Sequence, residues 1–79
     1  MKAVEMFESL GFERQVKDEV INYVLKSGMI AAFVRFYLDT KDYQVWTSEN
    51  RVRPRYGNMV CPQWHMAITK QLEELGWLE

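Results

Sequence analysis

The run Met29-Ile30-Ala31-Ala32-Phe33-Val34-Arg35-Phe36-Tyr37-Leu38 constrains the fold of this chain more than any other stretch. It is rich in β-branched and aromatic side chains. Turn residues close it at both ends, Ser27-Gly28 before it and Asp39-Thr40-Lys41-Asp42 after it. Such a run reads as the central strand of a small sheet. Arg35 interrupts it, and it falls far short of the ~20 apolar residues that a membrane span needs.

The flanking segments supply its partners, Val20 to Lys26 on one side and Tyr43 to Ser48 on the other. With Ser27-Gly28 and Thr40-Lys41 at the loop tips, Leu25 faces Ile30, Tyr23 faces Ala32 and Ile21 faces Val34. Across the second turn Leu38 faces Tyr43, Phe36 faces Val45 and Val34 faces Thr47. One face then gathers Ile21, Tyr23, Leu25, Ile30, Ala32, Val34, Phe36, Leu38, Tyr43 and Val45. Two independent turn placements converge on one apolar face, which a slip of one residue would scramble. The opposite face gathers Val20, Asn22, Val24, Ala31, Phe33, Arg35, Tyr37, Gln44, Trp46 and Ser48, a mixed set.

Helical periods bracket this region. Ala3, Met6, Phe7 and Leu10 share one face of a helix over Lys2 to Leu10. Gly11 supplies a left-handed stop, and Phe12 can fold back on Phe7. Phe12 to Val16 is a weaker strand pattern, broken by polar residues and followed by a turn at Lys17-Asp18. Glu49 to Val60 has no period and reads as a loop. Pro62 suits the first position of a closing helix, whose stripe of Trp64, Ala67, Ile68, Gln71, Leu72 and Leu75 packs on the apolar sheet face. Gly76-Trp77 repeats the glycine-aromatic stop. The expected fold is a single α+β domain over residues 1–79, a three- to four-stranded antiparallel β-meander flanked by an N-terminal and a C-terminal helix.

Composition narrows the setting. The chain has 79 residues and one cysteine, so no intrachain disulfide supplements its core. That pattern fits the cytoplasm. Glu5 and Glu8 interrupt the first turns and no apolar stretch follows, so no secretory signal is expected. Apolar residues make up 48% and aromatics 14%, enough for a packed core. The net charge of -1 provides no overall basic field for nucleic acid.

Met6-Phe7-Glu8-Ser9-Leu10-Gly11-Phe12 near the start and His65-Met66-Ala67-Ile68-Thr69-Lys70-Gln71-Leu72-Glu73-Glu74-Leu75-Gly76-Trp77 near the end carry a resemblance. The chain resembles small uncharacterised proteins encoded by phages and prophages of Gram-positive bacteria, which similarly bracket an aromatic-rich strand region between two such ends. The resemblance implies a mobile-element context and a small α+β domain. It implies no activity and no catalytic residue, and neither the Arg51-to-Arg55 segment nor Cys61 belongs to it.

Three constellations remain as sources of chemistry. Cys61 sits where a helix dipole can activate a thiol, with His65 about one turn on. The orienting third group and oxyanion hole of a catalytic pair have no sequence sign. One cysteine and one histidine also fall short of the four ligands of a structural zinc site. Arg51, Arg53 and Arg55 alternate, which in an extended chain sends all three to one side, with Tyr56 beside them. The second sheet face offers Phe33, Tyr37 and Trp46, with Arg35 placed opposite Trp46 as a cation–π partner. A helix lying over this face would make it core; left open, it would be a binding surface. The expected function is a non-enzymatic interaction module without cofactor, metal or membrane association. It binds a protein partner or a second copy through Phe33, Arg35, Tyr37 and Trp46. The alternative is a nucleic-acid accessory protein using Arg51, Arg53, Arg55 and Tyr56.

Overall fold

The computed structural model describes residues 1–49 and 60–78. Helix α1 (Ala3–Ser9) leads into strands β1 (Glu13–Lys17), β2 (Val20–Ser27), β3 (Ile30–Tyr37) and β4 (Asp42–Glu49), and helix α2 (Pro62–Glu74) closes the described chain. The four strands form one antiparallel sheet in the order β1-β2-β3-β4. This is the expected α+β meander with a helix at each end. The weak pattern after Phe12 is a true strand, paired along its whole length with β2.

Both central registers differ from the sequence expectation by two residues. Tyr23 pairs with Val34 and Ile21 with Phe36, while Val34 pairs with Val45 and Phe36 with Tyr43. The reason lies in the loops. Gly28 takes positive φ (61°) at the first position of a Gly28-Met29 loop closed by Ser27 and Ile30, whereas the sequence suggested Ser27-Gly28 at the tip. Lys41, with φ 61°, ends the loop before Asp42 pairs with Tyr37. A shift of two preserves which side chains share a face, because strand side chains alternate with period two. The composition of the apolar face therefore survives, although Ile30 and Tyr43 on it are exposed.

Both helices lie on that face. Phe7 of α1 and Ala67 and Ile68 of α2 join Phe12, Ile21, Tyr23, Ala32, Val34 and Phe36 in one buried cluster. Phe7 stacks on Tyr23 with ring centroids 3.8 Å apart, and Phe12 meets Trp64 edge to face at 5.2 Å. The Tyr23 hydroxyl donates to Gln71 Oε1 at 2.6 Å, so the buried Gln71 amide oxygen has a partner. The Ala3 N–H donates to Glu74 Oε2 at 2.7 Å and ties the start of one helix to the end of the other.

The two helix ends share one stop. The Phe12 N–H donates to the Phe7 carbonyl and the Gly11 N–H to Glu8; Trp77 and Gly76 do the same to Leu72 and Glu73, all at 3.0 Å. This is the paired bonding of a Schellman motif, with a left-handed glycine between helix and aromatic. The two glycines differ in their surroundings. At Gly11 (φ 96°) an added Cβ would lie 3.0 Å from Leu25 Cδ1, whereas at Gly76 (φ 75°) it would meet nothing within 4 Å. Gly76→Ala is therefore expected to cost about 1 kcal/mol in a urea melt, and Gly11→Ala about 1 kcal/mol or more beyond that.

Burial raises the Tyr23 pKa above 10.0, partly offset by the nearby Arg14 guanidinium. The folded state thus favours the neutral phenol. Its contribution is fully present below pH 10 and lost as pH rises through the raised folded value. Thermal melts above pH 10 should show an alkaline loss of stability that is smaller in Tyr23→Phe.

Candidate interaction surface

Both helices pack on one side of the sheet, against the buried cluster, and leave the other side to the strands among the described elements. Strand alternation sends Phe33, Arg35 and Tyr37 of β3 to this open side, between Asn22 and Val24 of β2 and Gln44 and Trp46 of β4. Glu13, Gln15 and Lys17 of β1 extend it to the sheet edge. Val24 on this side is buried, at 7% exposure.

The structure brings the four expected residues together on one face. Phe33 and Trp46 are direct cross-strand partners, their rings stacked at 4.8 Å and 12°. Arg35 lies diagonally to Trp46, not opposite it, because of the register difference. Its guanidinium carbon still sits 5.0 Å from the Trp46 ring centroid, which preserves the cation–π contact. Arg35 Nε donates to Asn22 Oδ1 at 3.3 Å, and the Tyr37 hydroxyl donates to Gln44 Oε1 at 3.2 Å. The aromatic pair thus sits in a frame of side-chain amides. All four of Phe33, Arg35, Tyr37 and Trp46 are half-buried, so they are held by neighbours while still reachable.

Beside Arg35 the face dips into an open hollow of about 410 Å³ lined by Gln15, Lys17, Asp18, Val20, Asn22 and Arg35. Sequence reasoning missed Gln15 and Lys17, because β1 has no apolar alternation to announce which way it faces. The signal available was the loop that follows. Asp18 adopts φ 54°, a conformation that Asp tolerates better than most residues, and this places a two-residue hairpin between Lys17 and Val20.

Cys61 and His65 meet only through the backbone. The His65 N–H donates to the Cys61 carbonyl at 3.0 Å as the first bond of α2, and both residues are exposed. His65 lines a separate hollow of about 360 Å³ with Met6, Met66, Thr69, Lys70 and Glu73, to which Cys61 does not contribute. Among the described residues no three His, Cys, Asp or Glu side chains group as metal ligands. No helix among them is long and apolar enough to cross a membrane. Arg51, Arg53, Arg55 and Tyr56 lie outside the described residues.

No protein-family model, curated protein or solved structure matches the chain. The segments Met6 to Phe12 and His65 to Trp77 consist largely of the two Schellman stops and the helix stripes behind them. They are fold-determining positions and contribute nothing to the open face.

Proposed function

We propose that the protein is a non-enzymatic accessory module, in the phage or mobile-element setting the resemblance implies, that docks a protein partner on the open sheet face. The observation that carries this reading is the Phe33–Trp46 stack with Arg35 against it, on a face that neither helix covers. Aromatic residues and arginine are the types enriched at the centres of protein interfaces, where they supply most of the binding energy. Half-buried rings stapled to one another lose little conformational freedom on docking, which lowers the cost of association.

Affinity capture from host lysate with paired variants tests the reading. A captured protein should be lost with Trp46→Ala and Arg35→Ala yet retained with Lys70→Ala on the helix side. Capture insensitive to Trp46→Ala would remove the face from the account, provided thermal melts show the variants folded.

Nucleic acid is the second reading, favoured by Lys17 and Arg35 on the rim of one hollow beside Trp46. Two groups already lie on the Trp46 ring, which leaves less π surface for a base to stack on. Titration with short single- and double-stranded DNA, read by tryptophan fluorescence, separates the readings. Saturable binding that falls steeply with salt would promote nucleic acid above a protein partner.

A further inference from the structure

β1 is an edge of the sheet, and all five of its residues, Glu13-Arg14-Gln15-Val16-Lys17, are exposed. Val16 is 55% exposed, unusual for a valine in a strand beside a core. Edge strands are commonly protected by charge, and the simplest protection is a single sign that repels a second edge. Here the signs are opposite and mirrored, with Glu13 and Lys17 equally spaced on either side of Gln15. Beyond their backbone pairing with β2, neither the Glu13 carboxylate nor the Lys17 ammonium has a hydrogen-bond or ion-pair partner among the described residues.

We infer that β1 pairs antiparallel with β1 of a second copy about a two-fold axis through Gln15. Glu13 of each copy then lies opposite Lys17 of the other, Arg14 lies opposite Val16, and the two Gln15 amides meet on the axis. The backbone permits it. The two-residue loop closed by Lys17 and Val20 turns the backbone groups of Glu13, Gln15 and Lys17 toward β2, leaving those of Arg14 and Val16 directed outward. Arg14 and Val16 of opposite copies therefore exchange the ladder hydrogen bonds.

The register is specified by charge and by length. A shift of two residues one way sets Arg14 against its own copy. A shift the other way leaves Glu13 and Arg14 without partners in the opposing strand. Only the pairing centred on Gln15 matches all five residues and joins both opposite charges. Such a dimer is one continuous sheet of eight strands, with the helices of both copies on one side and both Phe33–Trp46 stacks on the other. Seven strand spacings, roughly 34 Å, separate the outermost strands. The hollows that hold Gln15 and Lys17 adjoin across the axis. This pairing uses the edge and not the aromatic face, so it stands or falls separately from the partner proposed for that face.

Five residues a side is small against the ~1,200–2,000 Å² of a stable interface, so the dimer is a weak one. Sedimentation velocity over roughly 10 µM to 1 mM spans the relevant range. The wild-type mass should rise toward twice the monomer, and less so in high salt. Lys17→Glu sets two acidic pairs across the axis and should weaken association about tenfold or more, as should Glu13→Lys. The double variant Glu13→Lys/Lys17→Glu re-forms both pairs with signs exchanged and should recover wild-type association. Trp46→Ala should leave it unchanged. A monomer at every concentration would overturn the inference. So would a dimer indifferent to Lys17→Glu, a failure of the charge exchange to restore it, or its loss in Trp46→Ala.

Discussion

Phe7→Ala is expected to remove a large share of the stability of this protein. Phe7 is fully buried and holds three elements at once. Its ring stacks on Tyr23 of β2, meets Phe12 at the helix stop 5.4 Å away, and lies 6.4 Å from Phe36 of β3. It is also the residue whose carbonyl accepts the Phe12 N–H, so the side chain and backbone of one position fix both the packing and the ending of α1. Emptying a phenylalanine site in a core costs about 3–5 kcal/mol. A domain of this size has roughly 4–12 kcal/mol in all. α1 is too short to be stable by itself, so it has no independent means of holding its place once the ring is gone. In urea, the Phe7→Ala midpoint should fall by about a quarter or more, and at the low end of that stability range the variant should be unfolded without denaturant. An unfolding free energy within about 1 kcal/mol of wild type, on the scale of ordinary surface substitutions, would mean that α1 does not dock as described.

The Tyr23–Gln71 bond carries the second large effect. Gln71 is the one buried polar residue among those described, and its amide oxygen accepts from the Tyr23 hydroxyl at 2.6 Å. Tyr23→Phe keeps the aromatic stack on Phe7 but strands the amide, and Gln71→Leu strands the hydroxyl. Either leaves a buried polar group unpaired and should cost about 1–3 kcal/mol. The double variant Tyr23→Phe/Gln71→Leu removes both groups and should recover much of that loss, because an apolar pair of similar shape has nothing left unsatisfied. A double-mutant cycle in urea measures the coupling directly. Strict additivity would show that another partner, solvent or the Arg14 guanidinium near Tyr23, satisfies one of the two groups.

Which residues share a face was legible in the sequence, and the register was not, for the same physical reason. Alternation marks parity, so Tyr23, Val34, Phe36 and Val45 had to stand together. Parity is blind to a slip of two, however, and only the loop conformations at Gly28 and Lys41 decide between registers. This is why Phe33, not Arg35, came to lie opposite Trp46 while the Arg35–Trp46 contact was kept across the diagonal. β1 was hard to read because all five of its residues are exposed, which leaves no apolar pattern. The stripe of the closing helix pointed it to the apolar face, whereas the side taken by the first helix was undetermined. It follows from the aromatic that trails each glycine stop. Phe12 and Trp77 both turn into the same cluster, and each carries its helix to that face. That neither helix covers the Phe33, Arg35, Tyr37 and Trp46 surface is thus a consequence of two helix endings and not of those four residues.

Site-specific photocrosslinking in the producing cell tests the central claim most directly. A photoreactive phenylalanine analogue at position 37 would stand on the open face beside Gln44, and the same analogue at position 66 would stand on the exposed side of α2. The account predicts a discrete higher-mass adduct from position 37 and none from position 66, with the position-37 adduct lost when Trp46→Ala is added. No adduct from position 37, or equal adducts from both positions, would contradict it and return the open face to the status of unoccupied surface.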